Sequence, residues 1–238
     1  MKAPKGLGII PARGGSKSIP KKNMALLMGK PLLFYTFEGV RGCRTIDRFI
    51  LSTDDSEIAA FGEKHGIDVP GLRPSYLAKD DTPMVDVVKH SLFLLEKEGY
   101  SPDYIVLLQP TSPLRSSKHI DEAVDIFLDN PGIDSVVSVI PVPHLFHPQL
   151  ALRIEQGKLV PFAESVRLFA RRQDKPPCFA RNGPVVAVFK PSTVFRFNNI
   201  YGENSMPYIM SEQDSIDIDT PFDLKLAEAI IMIRKGMI

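Results

Sequence analysis

Glycines, hydroxyls and cationic side chains are concentrated in one short stretch near the N-terminus. The stretch reads Ile10-Pro11-Ala12-Arg13-Gly14-Gly15-Ser16-Lys17, and Lys21, Lys22 and Asn23 follow it closely. Adjacent glycines can adopt positive φ and present consecutive backbone N–H groups to an anion, while the cations supply charge. The pattern therefore indicates a loop that binds a polyphosphate, with a solvated basic turn as the alternative.

Two common phosphate-binding motifs do not fit this loop. A Walker A loop has four residues between its glycines and then a lysine, whereas five residues separate Gly8 from Gly14, and Gly15 follows. The dinucleotide fingerprint fails because Pro11 stands where the pattern beginning Gly6-x-Gly8 requires its third glycine. A phosphate loop at this position belongs to another kind of protein.

A pair of carboxylates near the C-terminus could hold a metal ion. In Ser215-Ile216-Asp217-Ile218-Asp219, the alternation of a strand would place Asp217 and Asp219 on one face. Mg²⁺ prefers one or two carboxylates together with substrate phosphates, and Mn²⁺ could take its place. The alternative is that Asp219 only caps the helix that follows.

The strands and helices of the fold must position these residues. In the sequence, apolar runs alternate with stretches that have the periodicity of helices. Continuous apolar runs predict buried strands, and their alternation with helices is typical of a mostly parallel sheet with helices on both faces. The sequence therefore predicts an α/β fold, in which the loop after Leu108 faces the same crevice as the glycine loop. Strands are predicted at residues 7–10, 48–51, 67–69, 104–108, 135–140, 185–189 and 215–219.

Four helices carry recognisable start signals. Pro31 is predicted at the first position of one helix, and Thr82 and Pro83 as the cap and first position of another. Asp54 and Asp55 suit the N-cap of a helix that ends near Lys64. The sequence Thr220-Pro221-x-Asp223 caps a final helix, whose predicted apolar stripe consists of Leu226, Ile230 and Ile233.

The segment from Pro141 to Pro177 breaks the strand and helix pattern. It contains six prolines and a basic cluster of Arg167, Arg171 and Arg172. Prolines at this density interrupt regular structure. We expect residues 1–238 to form one domain, with 141–177 as an excursion that serves oligomerisation.

Composition excludes several classes of partner. The chain has 29 basic and 28 acidic residues, so its net charge of +1 favours neither nucleic acid nor a membrane surface as a partner. Two cysteines, Cys43 and Cys178, are too few for a disulfide framework. Because no apolar run reaches about 20 residues and the N-terminus lacks a signal-peptide core, we expect a cytoplasmic protein.

The motifs, taken in order, resemble the CMP-sialic acid synthetases (acylneuraminate cytidylyltransferases) over nearly the whole chain. The resemblance implies a nucleotide-diphospho-sugar transferase-like fold with a protruding dimerisation element, and a homodimer. It also implies transfer of CMP from CTP to a nine-carbon 2-keto sugar acid, with release of pyrophosphate. The motifs are residues 10–17, Ser52-Thr53-Asp54, Leu72-Arg73-Pro74, Leu108-Gln109-Pro110-Thr111-Ser112-Pro113-Leu114-Arg115, Arg181-Asn182-Gly183 and residues 214–220.

The resemblance also implies a role for each matching residue. Arg13 and Lys17 would hold the triphosphate, and Asp217 and Asp219 would hold Mg²⁺. Arg172 would reach across to the carboxylate of the sugar acid bound in the partner subunit. The remaining residues of the nucleotide side would be Ala12, Gly14, Gly15, Ser16, Lys22, Asn23 and the cytidine-binding Arg73. Those contacting the sugar acid would be Gln109, Thr111 and Ser112.

The chain departs from the family pattern at four positions. Ser18 replaces a glycine, and Val85 replaces a polar residue near the cytosine. Pro184 and Val186 replace an alanine and a sugar-packing tyrosine, which favours a deoxy or differently acylated acceptor such as a legionaminic-type acid. Transfer to another sugar acid or from another nucleotide stays an alternative, as does a non-catalytic nucleotide-binding protein.

Overall fold

The computed structural model describes residues 3–162 and 175–238, which build one mixed β-sheet, helices packed against it and two small hairpins. The strands are β1 Gly6–Pro11, β2 Leu26–Leu27, β3 Lys30–Pro31, β4 Arg48–Ser52, β5 Tyr104–Leu107, β6 Ser135–Pro141, β7 Leu152–Glu155, β8 Lys158–Pro161, β9 Phe179–Arg181, β10 Ala187–Phe189 and β11 Ser205–Ile209. The α-helices are α1 Leu32–Val40, α2 Ser56–Lys64, α3 Met84–Lys97, α4 Ser117–Asp129, α5 Pro191–Phe197 and α6 Pro221–Arg234.

The main sheet has the order β11-β6-β10-β5-β1-β4, and β9 pairs with the end of β6. Strand β1 is parallel to β4 and β5, and β11 is parallel to β6, whereas β10 runs antiparallel to both of its neighbours. The prediction of a mostly parallel sheet is confirmed. Because Pro11 pairs with Ser52 and Ile9 with Leu107, the loops after β1, β4 and β5 emerge at one edge.

Alternating side chains of the central strands build a core on each face of the sheet. Leu7 and Ile9 of β1 pack with the buried stripe of α3, whereas Ile10 packs with α1 and α4 on the opposite face. Helices therefore cover both faces, as predicted for continuous apolar strands. Among the described helices, none combines the length and the apolar character needed to cross a bilayer.

Several predicted elements need correction. The predicted strand at 67–69 is a single bridge between Asp68 and Ile50, and residues 215–219 form no strand. Pro31 and Pro83 each stand one position before their helices, as N-cap residues, because α1 begins at Leu32 and α3 at Met84. Proline has no backbone N–H to donate. Neither the N-cap residue nor the first helical residue donates an intrahelical hydrogen bond, so proline fits equally well at both positions.

The caps of α2 and α6 are confirmed, but the buried stripe of α6 is not the predicted one. Asp55 Oδ1 accepts hydrogen bonds from the backbone N–H groups of Glu57 and Ile58, and Thr220 and Asp223 form a capping box. The fully buried face of α6 carries Ala227 and Ile231. The predicted residues Leu226 and Ile233 lie on the exposed side.

The excursion from 141 to 177 contains an antiparallel hairpin of β7 and β8, in which Leu152 pairs with Pro161 and Glu155 with Lys158. The chain returns to the sheet through β9, where Phe179 pairs with Pro141. The predicted basic cluster, Arg172 included, lies in 163–174, outside the described residues.

Candidate active site

A cleft of about 440 Å³ opens at the edge of the sheet where β1 and β5 end. Such a volume is within the range of small-ligand sites, and the carboxyl ends of parallel strands are where open α/β sheets bind ligands. The lining residues are Pro11, Arg13, Gly15, Ser16, Lys17, Ser18, Lys22, Asn23, Arg73, Leu77, Lys79, Asp80, Thr82, Met84, Val87, Gln109, Pro110, Thr111, Asp217 and Asp219.

Most of the residues predicted for the site meet in this cleft, although they come from distant parts of the chain. Three predicted residues lie beside it instead of lining it. Ala12 is fully buried at the end of β1, Gly14 packs against the start of α2, and Ser112 is buried in the loop after β5. Arg172 lies outside the described residues, so its role stays a prediction.

The glycine loop does not have the predicted conformation. Neither Gly14 nor Gly15 has positive φ, and the Gly14 N–H donates to Asp54 Oδ1 at 3.0 Å instead of facing the cleft. A Cβ at Gly14 would lie 2.5 Å from Asp55 Oδ2, so this position needs glycine for close approach. Asp54, weighed from sequence mainly as a helix cap, holds the loop in place.

The two cations predicted to hold phosphate share one carboxylate. Arg13 Nη2 lies 2.6 Å from Asp80 Oδ1, and Lys17 Nζ lies 2.6 Å from Asp80 Oδ2. These contacts hold the pKa of the Asp80 carboxyl below its usual value and raise that of Lys17. Both cations face the cleft, where they can bind an anion.

Lys22 joins the glycine loop to the C-terminal carboxylates. Its ammonium donates to the Ile218 carbonyl at 2.8 Å and to Asp219 Oδ1 at 3.0 Å, and its side chain is only 13% exposed. The residue before it, Lys21, has a φ of 49°, which turns the chain sharply at this point. Asn23 donates to the Arg13 carbonyl at 2.9 Å, which fixes the far end of the loop.

The two predicted metal ligands differ in environment. The Asp219 side chain is 73% exposed, whereas Asp217 is partly buried. The Thr111 hydroxyl lies close enough to the Asp217 carboxylate to interact, but neither this hydroxyl nor Asp217 Oδ1 has a hydrogen bond of normal geometry among the described residues. Burial raises the pKa of Asp217; the charge of Asp219 adds to the rise, and the Thr111 hydroxyl and Lys22 oppose it. A buried carboxylate oxygen without a donor beside a second carboxylate fits a hard divalent cation.

The described residues contain no cluster of three or more carboxylate, histidine or cysteine side chains that could hold a metal ion. A cation held by Asp217 and Asp219 would therefore complete its shell with water and substrate oxygens, as Mg²⁺ commonly does. Gly183 lies beside Asp217, and its φ of 118° is in the region that favours glycine, although a Cβ there would be only in ordinary contact, 3.5 Å from Asp217 Oδ2.

Arg73 also lines the cleft. Its guanidinium is nearly buried, and Nη2 lies 3.7 Å from Asp54 Oδ1. Burial lowers the pKa of this group, while Asp54 opposes the change. Met84 and Val87 of α3 line the same cleft, whereas Val85, predicted near the cytosine, packs in the core on the other side of the helix.

Arg115 fixes the loop that carries Gln109 and Thr111. Its fully buried guanidinium donates through Nη1 to the carbonyls of Gln109 at 3.0 Å and Val185 at 2.8 Å, and through Nη2 to Thr36 Oγ1 at 3.2 Å. Burial lowers the pKa of the guanidinium. The local sequence of the loop does not indicate this internal clamp, because the partners Val185 and Thr36 lie far away in the chain.

Val186 does not form the predicted wall of the sugar pocket. It is fully buried, packs in the core on the α1 and α4 face, and its N–H donates to Ser138 Oγ at 3.0 Å. The preference for an altered acceptor that we inferred from this position loses its physical basis. Asn182 is buried beside it and bonds both Ser138 and Ser215, which positions the segment leading to Asp217.

A family model described as cytidylyltransferase matches residues 7–230. The chain is 32% identical over 233 residues to CMP-N,N'-diacetyllegionaminic acid synthase of Legionella pneumophila, covering 96% of this chain and 97% of the relative. It is 31% identical over 226 residues to N-acylneuraminate cytidylyltransferase of Escherichia coli, covering 94% of this chain and 51% of the relative.

A solved structure, CMP:2-keto-3-deoxy-manno-octonic acid synthetase complexed with CTP, superposes with a TM-score of 0.72 at 14% identity, covering 97% of this chain and 99% of that chain. At that identity the similarity shows the fold alone. The sheet order and the cation-lined cleft fit a nucleotidyltransferase, the class of protein that the family model assigns to the chain. The chain belongs to the cytidylyltransferase family, the family of the CMP-sialic acid synthetases, and is an enzyme.

Proposed function

We propose that this cytidylyltransferase transfers CMP from CTP to the anomeric hydroxyl of a nine-carbon 2-keto sugar acid and releases pyrophosphate. The observation that carries the proposal is the convergence of Arg13, Lys17 and Asp217 on one cleft at the ends of β1 and β5. The names of the two curated relatives support CTP as donor and a sugar acid as acceptor.

The residues of the cleft suit an in-line transfer. The acceptor hydroxyl oxygen would bond to the α-phosphorus and release its proton to solvent, while the bond from that phosphorus to the pyrophosphate oxygen breaks and pyrophosphate leaves. Arg13 and Lys17 would bind the leaving phosphates, and Arg73 with Met84 and Val87 would enclose the cytidine. Fixed charges of this kind lower the barrier by positioning the reactants and stabilising developing charge.

We further propose that Asp217 and Asp219 hold Mg²⁺ or Mn²⁺. Such an ion supplies positive charge that stabilises the oxygens of the reacting phosphates. The donorless Oδ1 of Asp217 supports this assignment, because an ionised oxygen in that setting is costly without a cation. Lys22, bonded to Asp219, holds the second carboxylate against the loop.

A pyrophosphate-release assay with CTP, UTP, ATP and GTP, each offered with a panel of keto-sugar acids, tests the proposal. We expect release to require CTP and a nine-carbon 2-keto acid together. The acceptor panel contains N-acetylneuraminic acid, its deaminated analogue and a legionaminic-type acid, and kcat/KM ranks them. Turnover with none of these acceptors, or equal turnover with another nucleotide, would contradict the proposal.

We also propose a homodimer formed through the excursion at 141–177, with Arg172 reaching the neighbouring sugar site. Exposed apolar side chains support an interface there: Ile154 is 75% exposed and Leu159 70%. Light scattering of the double variant Ile154→Glu, Leu159→Glu is expected to show a monomer with reduced activity. Lys158→Glu, on the same hairpin, is the control, and a fully active wild-type monomer would exclude the interface.

A cytoplasmic location is the last part of the proposal. Cys43 and Cys178 are both free, and burial raises the pKa of the Cys43 thiol to about 12, so it has little nucleophilic thiolate. Free cysteines suit a reducing compartment. Cell fractionation with a tagged chain tests the location, and recovery in an extracellular fraction would contradict it.

A further inference from the structure

The carboxylate of Asp80 is bound by the two cations that face the phosphate end of the cleft. Each of its oxygens has its own partner, Arg13 Nη2 at 2.6 Å and Lys17 Nζ at 2.6 Å. Ionised oxygens bound by a guanidinium and an ammonium form charge-assisted hydrogen bonds of the kind that phosphate oxygens form. Asp80 therefore presents to these cations the chemistry that a phosphate group would present.

The segment around Asp80 is folded so that the carboxylate reaches into the cleft. The segment joins the turn Ser75–Leu77 to α3, and the Thr82 N–H donates to the Lys79 carbonyl at 3.3 Å. Arg13 Nη1 also lies 3.5 Å from the Ala78 carbonyl. The Ala78 N–H also donates to the Ser75 carbonyl, and the Thr82 hydroxyl to the Tyr76 carbonyl. Apart from the contact with Arg13, the bonds named here are local to the segment, so it can shift at small cost.

We propose that Asp80 is a specificity-determining residue that competes with the phosphate chain of the nucleotide for Arg13 and Lys17. The inference rests on the proposed function, because it takes these two residues as the cations that bind the triphosphate. A ligand must bring enough charge and enough oxygens to displace the carboxylate, which favours a triphosphate over a single phosphate. After transfer, the return of Asp80 to both cations assists the release of pyrophosphate.

The partial exposure of the three side chains limits the size of the effect. Lys17 is 84% exposed and Asp80 42%, so each ion pair is screened by water. Exposed pairs contribute modestly, and two of them together correspond to about a three- to tenfold change in affinity. The competition therefore adjusts nucleotide binding without preventing it.

Asp81 provides a matched control for the charge of Asp80. It is the next residue in the chain and carries the same charge, but it acts on Lys17 only through longer-range attraction. Asp80→Asn and Asp81→Asn therefore change the net charge equally, while Asp80→Asn alone removes the two direct ion pairs.

Isothermal titration of inorganic tripolyphosphate into the wild type, Asp80→Asn and Asp81→Asn tests the inference without turnover. We expect Asp80→Asn to bind about three- to tenfold more tightly, and Asp81→Asn to stay within about twofold of the wild type. In steady-state assays, Asp80→Asn is expected to show a lower KM for CTP and stronger inhibition by pyrophosphate, with no rise in kcat.

Several outcomes would overturn the inference. Weaker tripolyphosphate binding by Asp80→Asn would show that the carboxylate orients the cations for the ligand, and equal tightening in both variants would show a net-charge effect. Suppose that tripolyphosphate affinity is unchanged in Asp80→Asn while binding is still lost in Arg13→Ala. That result would refute the competition by Asp80 but leave the proposed phosphate site intact. Binding absent from the wild type, or unaffected by Arg13→Ala, would refute the proposed phosphate site as well.

Discussion

Replacing Asp217 with asparagine should stabilise the metal-free protein and nearly abolish its activity. The residue is partly buried, its Oδ1 has no hydrogen bond of normal geometry among the described residues, and Asp219 carries a like charge nearby. Asparagine keeps a buried polar atom at this position but removes its charge, and an unsatisfied charged group costs more than a neutral one by about 1 kcal/mol or more. Because the cleft admits water to part of the residue, we take about 1 kcal/mol, which raises Tm by roughly 2–4 °C in a chain of this size.

The pH dependence of this gain has a definite sign. Burial raises the pKa of Asp217 above 3.8, so the folded state binds its proton more tightly than the unfolded state does. The penalty that asparagine removes is fully present above the folded-state pKa and disappears as pH falls through that pKa towards 3.8. The Tm difference between the Asp217→Asn variant and the wild type should therefore be largest near neutral pH and shrink in acid.

Calorimetry with and without Mg²⁺, combined with the pyrophosphate assay, measures both effects. Mg²⁺ should raise the Tm of the wild type and leave that of Asp217→Asn unchanged, since a ligand stabilises only the state that binds it. Loss of the ion's charge stabilisation, about 3 kcal/mol, lowers kcat by about two orders of magnitude.

Asp219→Asn is the control, because its exposed carboxylate has little desolvation to relieve. A lower Tm for Asp217→Asn at neutral pH without Mg²⁺ would refute the reasoning, and full activity in EDTA would refute the metal assignment.

Other expectations follow from the cations. Arg13→Ala and Lys17→Ala should each lower kcat/KM by about 100-fold while leaving Tm within about 2 °C, because their ion pairs are partly exposed; near-normal kinetics in both would remove the glycine loop from the site. Arg115→Met should lower stability by about 3 kcal/mol, because the carbonyls of Gln109 and Val185 lose their donor. The KM of the Arg115→Met variant for the acceptor should rise, because the loop that carries Gln109 loses its support. An unchanged free energy of unfolding in urea would show that Arg115 does not hold the loop.

The architecture could be predicted from the sequence because burial on both faces leaves a strong signal. Continuous apolar runs such as β5 occur where a parallel strand is covered on each side. The errors fall where the signal is weak. A stretch of three residues at 67–69 supports one bridge, and the apolar residues of α6 surround the helix, so periodicity alone did not identify Ala227 and Ile231 as its buried face.

The types of residue in the site could be predicted, whereas their partners could not. Clustered cations and adjacent glycines indicate an anion loop from local sequence alone, and paired aspartates indicate a cation site. Which carboxylate meets which cation depends on long-range folding: Lys22 and Asp219 are 197 positions apart. The pair of glycines indicates freedom to adopt positive φ, although close approach to Asp55 is the actual constraint at Gly14.

Two carboxylates that the sequence did not assign to the site, Asp54 and Asp80, explain how so many cations fit in one cleft. Arg13, Lys17 and Arg73 converge at one edge of the sheet, and like charges in a confined space repel one another. Asp54 lies beside Arg73, and Asp80 bridges the other two, so each cation is held in position by an anion. Asp54 bonds to the backbone of the loop and holds it, whereas Asp80 lies on a segment held mainly by local bonds. A phosphate chain can therefore replace Asp80 without dismantling the loop, which makes this carboxylate the adjustable part of the site.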